Sequence, residues 1–209
     1  MEILLVRHGE TEWNRELLFR GRRDIPLSRH GSAQAEMLAT RMHALKPDSI
    51  FSSPLSRAVM TAQAAASALG LPVRVEDDLA DVDFGIWSGL SRDEVEARYP
   101  QDFKKWRDDP LAMRFEGGET VSEVQERGLR WLRRVSGSGS GRIAAVTHRV
   151  VLKLLAAAVL DAPGAFWRVR FDTCSVSAVR ASAGGFELMY LNDTHHLAAC
   201  RDAKPPPDF

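Results

Sequence analysis

The chain is poor in cysteine: only Cys174 and Cys200 occur in 209 residues. Neither a paired metal-ligand spacing nor a dense disulfide framework can be built from two. Both are expected to be free thiols, one of them in a buried strand. An excess of charge is also absent, since 28 basic residues face 28 acidic ones. That balance leaves no broad electrostatic footprint for nucleic acid or an anionic membrane, so any cationic site has to be local. No apolar stretch reaches the roughly 20 residues of a membrane span. The chain begins directly on a strand, without a basic and then apolar leader, so a cytoplasmic location is expected. Asn192-Asp193-Thr194 matches a glycosylation sequon that then has no secretory context. His195-His196 have no cysteine or carboxylate at coordinating spacing, and neighbours on a strand point opposite ways; no metal site and no cofactor are expected.

Two short apolar runs stand out against this background, and they end alike. Ile3-Leu4-Leu5-Val6 runs into Arg7-His8-Gly9-Glu10-Thr11, and Ile143-Ala144-Ala145-Val146 runs into Thr147-His148-Arg149. Such runs read as buried strands, and open α/β sheets bind ligands beyond the carboxyl ends of their parallel strands. If the two strands are neighbours, His8 and His148 meet at one sheet edge with the fixed charge of Arg7 beside them. Two imidazoles and a guanidinium, with a glycine that lets the backbone come close, suit a phosphoryl group.

Between these runs the pattern alternates strand and helix. A helix is expected over about residues 31–45 with Ser28 as its cap, a strand at Ser49-Ile50-Phe51-Ser52, an alanine-rich helix over 56–69, and a strand at Val73-Arg74-Val75. Leu79 to Gly85 reads as extended, which would put Asp81 and Asp83 on one side. Residues 91–109 look like two short helices capping the sheet edge, and a long helix follows to about 135. Serine and glycine alternate over 136–141 without the spacing of a dinucleotide fingerprint, as in a surface connector. An apolar helix over 150–160 and a hairpin of two strands turning at Gly184-Gly185 complete the chain, and the proline-rich tail is expected to be disordered. The length suits one α/β domain, 1–203, with a cap insertion at about 91–117 and a tail at 204–209. Trp87, Trp106 and Trp131 are expected to pack in core or cap, because no basic stripe accompanies them as in a base-stacking platform.

Arg7-His8-Gly9-Glu10-Thr11-Glu12-Trp13-Asn14 resembles the signature of the histidine phosphatase superfamily, also called the phosphoglycerate mutase-like family. The resemblance continues in order through Phe19-Arg20-Gly21, Asp24-Ile25-Pro26-Leu27, Ser52-Ser53-Pro54-Leu55-Ser56-Arg57-Ala58, Phe84-Gly85-Ile86-Trp87-Ser88-Gly89, Gly118-Glu119-Thr120, Val146-Thr147-His148 and Asn192-Asp193-Thr194-His195. It implies a three-layer α/β/α sandwich with a mostly parallel central sheet and a small helical cap. It also implies metal-independent hydrolysis of a small phosphomonoester through a phosphohistidine on His8. Arg7, Arg57 and His148 would bind the phosphoryl oxygens, Asn14 would donate a further hydrogen bond, and Arg20 and Gly21 would meet the substrate. The proton donor of that family is usually a glutamate; the corresponding place here holds Asp81, one methylene shorter, so its loop must sit closer or a water must intervene. Bound phosphate would keep Asp81 protonated. Asp83 and Glu119 are the reserve acids.

Arg149 and Val150 depart from the pattern as well, since the family commonly has glycine after the second histidine and its mutases an asparagine next. The shorter chain and the missing amide favour hydrolysis over a cofactor-primed phosphoglycerate mutase; a non-catalytic phospho-ligand module is the other alternative. Specificity lies in cap and mouth residues, so α-ribazole phosphate, sugar phosphates and phosphoglycerate all fit the resemblance. A homodimer through an edge strand is compatible with the sequence but not forced by it.

Overall fold

The computed structural model describes residues 1–137 and 141–200, so residues 138–140 of the serine-glycine connector and the whole tail lie outside the described residues. Among the described residues six strands form one sheet: β1 (Glu2–Arg7), β2 (Ser49–Ser52), β3 (Val73–Val75), β4 (Arg142–Thr147), β5 (Val176–Ser182) and β6 (Gly185–Asp193), in the order β3-β2-β4-β1-β5-β6. The first four run parallel, and the β5–β6 hairpin adds an antiparallel edge beside β1. In chain order the helices are α1 (Glu12–Arg15), α2 (Arg29–Leu45), α3 (Ser56–Ser67), α4 (Arg92–Arg98), α5 (Pro100–Asp108), α6 (Val121–Ser136) and α7 (Arg149–Val159).

The apolar runs of β1, β2 and β4 are continuous because both faces of the sheet are covered. Leu4, Val6, Ile50, Ala144 and Val146 pack with Leu38, Met42, Ala58 and Ala62 of α2 and α3. Their alternates Ile3, Leu5, Phe51, Ile143 and Ala145 pack with Trp131, Leu132, Val151 and Leu155 of α6 and α7. This is the expected three-layer sandwich. The chain leaving β1 goes to α2 on one face, and the chain leaving β4 goes to α7 on the other. A crevice therefore opens between the carboxyl ends of two adjacent strands, where such sheets bind ligands.

Local chemistry explains the helix starts. Ser28 caps α2, its Oγ accepting from the Gly31 N–H at 3.0 Å, and Ser91 with Glu94 and Thr120 with Glu123 form capping boxes for α4 and α6. Gly31 is required by close approach, because a Cβ there would lie 2.0 Å from the Glu10 carbonyl oxygen. The loop after His8 is thus pressed onto the start of α2. The cap helices α4 and α5 hold an aromatic cluster in which Phe84 meets Phe19, Trp106 and Phe115 edge-on. Trp87, Trp106 and Trp131 are all buried.

Three local expectations need correction. Leu79 to Gly85 is no strand: a 3-10 turn (Asp77–Leu79) leads into irregular backbone. Asp81 and Asp83 part company there, because Asp83 Oδ1 accepts from the Gly85 N–H. Cys174 precedes β5 and sits at a left-handed φ of 54° instead of inside a strand. His195 and His196 lie in a 3-10 helix (His195–Cys200), with His196 Nε2 3.1 Å from the Cys174 carbonyl oxygen. Among the described residues no helix is long and apolar enough to cross a membrane.

Candidate active site

The register of β1 on β4 decides the centre of the site. Arg7 stands opposite Thr147, so the next residues, His8 and His148, are level as they leave the sheet. The His8 N–H donates to the Thr147 carbonyl at 3.0 Å, and the two imidazole centroids lie 5.1 Å apart. His8 Nδ1 is 2.6 Å from the Gly9 carbonyl oxygen, which can only accept. The proton therefore sits on Nδ1, and Nε2 keeps a lone pair. Burial, and then the positive charges of Arg57, Arg7 and Arg20, hold the His8 pKa well below the ordinary histidine value. A neutral imidazole with Nε2 unprotonated is the form a nucleophile needs.

His148 is held differently. Its Nε2 lies 2.7 Å from Ser53 Oγ, and that hydroxyl also accepts from the Leu55 N–H at 3.3 Å. The hydroxyl proton then goes to Nε2, which leaves the hydrogen of His148 on Nδ1, 3.6 Å from Asp81 Oδ2. Its pKa too is driven well down, first by burial and then by Arg57. His148 also stands at the N-cap position of α7 without a side-chain cap hydrogen bond, so the first N–H groups of that helix and the positive end of its dipole lie beside it.

Arg57 enters from the start of α3 and is completely buried. Its Nη2 donates to Asp81 Oδ2 at 3.1 Å and to the Gly21 carbonyl at 2.8 Å, while Nη1 donates to the Arg23 carbonyl at 2.9 Å. Gly21 has a φ of +53°, and a Cβ there would sit 2.9 Å from the Val82 carbonyl oxygen, so only glycine presents its carbonyl to Arg57 in this way. Arg7, also buried, donates from Nη1 to the Phe171 carbonyl at 2.6 Å. Among the residues around His8, three buried nitrogens have no hydrogen-bond partner: Nε of Arg20, Nε of Arg57 and Nδ1 of His148. A buried donor left unsatisfied costs about 1–3 kcal/mol, so such donors are ones that a bound anion can satisfy.

The opening above them is a cleft of about 10 Å³, the space of a single water. His8, Leu18, Phe19, Arg20, Asp81, Phe84, Arg149 and Val150 line it. Arg20 reaches it with Nη1 donating to the carbonyls of Trp13 and Leu18 at 3.1 and 3.4 Å. Asn14 is buried in α1 and does not line this cleft; its Oδ1 accepts from the N–H and hydroxyl of Thr11 at 2.9 Å each. The reserve acids lie elsewhere. Asp83 caps Gly85, and Glu119 bridges Arg22 at 2.8 Å and Arg127 at 3.2 Å.

Arg127 took no part in the sequence argument, Ser53 and Thr147 entered it only as motif letters and Glu119 only as a reserve acid, yet the four hold the site together. Ser53 was visible inside the Ser-Ser-Pro motif. Arg127 left a subtler mark: it falls on the stripe formed by Val121, Val124, Gly128, Trp131 and Val135, where a charge is out of place unless it is paired inside.

A profile of the histidine phosphatase superfamily (branch 1) matches residues 3–194. The chain belongs to the histidine phosphatase superfamily. It is 34% identical over 199 residues, 94% of each chain, to phosphoserine phosphatase 1 of Hydrogenobacter thermophilus. It is 30% identical over 210 residues, 95% of this chain and 96% of the other, to the Salmonella paratyphi C protein named Probable phosphoglycerate mutase GpmB. Among solved structures, Bacillus stearothermophilus YhfR matches with a TM-score of 0.88 at 30% identity, covering 94% of this chain and 98% of that one.

Proposed function

We propose that this protein hydrolyses small phosphomonoesters by way of a phosphohistidine on His8. The observation that carries the reading is a buried imidazole with Nε2 unprotonated, 5.1 Å from that of His148 and subject to the positive charges of Arg57, Arg7 and Arg20. The phosphoryl group would take the donors of Arg57, His148 and Arg20, with Arg7 and Asn14 completing the set, and its negative charge reverses the cationic surroundings that depress both histidines. His8 Nε2 attacks phosphorus as the ester P–O bond breaks, and the proton of Asp81 passes to the departing alkoxide. Water then attacks the phosphohistidine, giving its proton back to Asp81 as the P–N bond breaks, and inorganic phosphate leaves. The acid's short reach is met by the loop itself, since Asp81 lines the same cleft as His8.

Hydrolysis is favoured over phosphoryl shuffling because Arg149 and Val150 line the cleft where the mutase reading needs an amide. The phosphatase name of one relative and the mutase name of another mark the two branches of the choice. Quenching a turnover of radiolabelled phosphomonoester in alkali should trap an acid-labile, alkali-stable label that His8→Ala abolishes. An unlabelled wild-type protein during turnover would overturn the mechanism. Conversion of 3-phosphoglycerate to 2-phosphoglycerate with bisphosphoglycerate present, and without release of phosphate, would move the protein to the mutase branch.

A further inference from the structure

Asp81 sits on backbone that no β-ladder holds, so something else has to place it. Every carbonyl from residue 78 to residue 81 is taken by a side chain. Arg127 Nη1 donates to the carbonyls of Asp78 and Ala80 at 2.9 and 2.6 Å, and its Nη2 donates to that of Asp81 at 3.0 Å. Thr147, the last residue of β4, donates from Oγ1 to the Leu79 carbonyl at 2.6 Å. Arg127 is itself gripped by Glu119, Nε to Oε1 and Nη2 to Oε2 at 3.2 Å each, and Glu119 Oε2 accepts from the Asp83 N–H at 3.0 Å. One buried guanidinium thus ties the backbone that carries the acid to the middle of α6, and Arg57 donates to the carboxylate itself at 3.1 Å.

Resting on the phosphohydrolase reading above, we infer that Arg127 is the positioning residue for the Asp81 acid. An aspartate has one methylene less than a glutamate with which to correct a misplaced backbone, so its reach to the leaving oxygen is set by where residues 78–81 are held. Misplacement by about 1 Å of a group in a reacting geometry costs on the order of 10²-fold. The fork of Arg127 spans three carbonyls and a carboxylate together, a pattern that the single ammonium of a lysine cannot reproduce. Arg22, two residues past the cleft-lining Arg20, meets the same Glu119 at 2.8 Å, so the brace also joins the acid loop to that segment.

The test reads leaving-group release in single turnovers. One substrate is p-nitrophenyl phosphate, whose phenolate departs without a proton. The other is an alkyl ester, O-phospho-L-serine or β-glycerophosphate, whichever wild type turns over faster. Arg127→Gln should lower alkyl release by about 10- to 100-fold and aryl release far less, approaching the ratio of Asp81→Asn. Added to Asp81→Asn, it should change that ratio no further, and Arg127→Lys should restore part of the alkyl rate. Equal loss on both esters, or no loss on either, overturns the proposal. If Arg127→Gln does not fold, the same ratio is read in Arg127→Lys and Glu119→Gln, and an unchanged ratio in a folded variant overturns it equally. A flat ratio in Asp81→Asn would show that the acid assignment fails and takes the brace down with it. A shifted ratio in Asp81→Asn beside an unshifted one in the Arg127 variants would overturn the brace alone.

Discussion

The floor of the crevice and the loop above it are built by opposite means. His8 and His148 leave the ends of β1 and β4, and the ladder that aligns Arg7 with Thr147 brings them level without help from any side chain. Residues 78–83 have no ladder; their position depends on Arg127, Thr147, Glu119 and Arg57. Ladder bonds reinforce one another along a strand, whereas a side-chain brace stands or falls with a single residue. Point substitutions should therefore damage the floor through its chemistry and the loop through its geometry.

The sharpest break in this comparison is His8→Ala, which removes the proposed nucleophile. Turnover of aryl and alkyl esters alike should fall by at least about 10⁴-fold, with loss of the acid-labile label, because catalytic groups acting as a unit fail together. Steady-state phosphate release measures it, and retention of label would refute the assignment. Next comes Arg57→Gln, which removes a charged donor from the proposed phosphoryl site and loosens the Gly21 and Arg23 carbonyls. A loss of about 10²- to 10³-fold in kcat/KM on both esters is expected, together with loss of protection by orthovanadate in thermal melts. Asp81→Asn should separate the two regions, with about 10²-fold loss of alkyl release and a much smaller change in aryl release.

The smallest effect concerns stability and pH. The folded protein holds His8 and His148 well below the ordinary histidine pKa of 6.5, so the unfolded chain binds the extra protons. Stability contributed by the neutral imidazoles is complete above about pH 6.5 and is lost as pH falls below it, by up to about 1.4 kcal/mol per pH unit for each histidine. Urea denaturation between about pH 8 and 5 should show this slope, His8→Asn should make it shallower, and inorganic phosphate should reduce it by binding the folded state. An unchanged slope in His8→Asn would remove that residue from the account.

Much of the floor was legible before any coordinates. The apolar runs Ile3-Leu4-Leu5-Val6 and Ile143-Ala144-Ala145-Val146 announce strands buried on both faces, and the same polar break after each places its histidine at a strand end. Ser28 marked the start of α2 for the same local reason, a hydroxyl that meets an N–H three residues on. The acid loop was misread as extended because Leu79 to Gly85 alternates in sequence like a strand, while the partners of its carbonyls lie outside it. Arg127 is 46 positions from the Asp81 carbonyl it holds.

The amino-acid sequence alone therefore determined the alternation of strands and helices, the ends of the strands and the histidines placed on them, because periodicity and capping act over a few neighbouring residues, while the three layers were implied by the family resemblance. Only the tertiary structure decided which tautomer each histidine holds, which of three carboxylates faces the cleft, and that a buried arginine on α6 carries the loop that bears it. Those outcomes depend on hydrogen bonds between groups far apart along the chain, and their partners leave no local pattern to read.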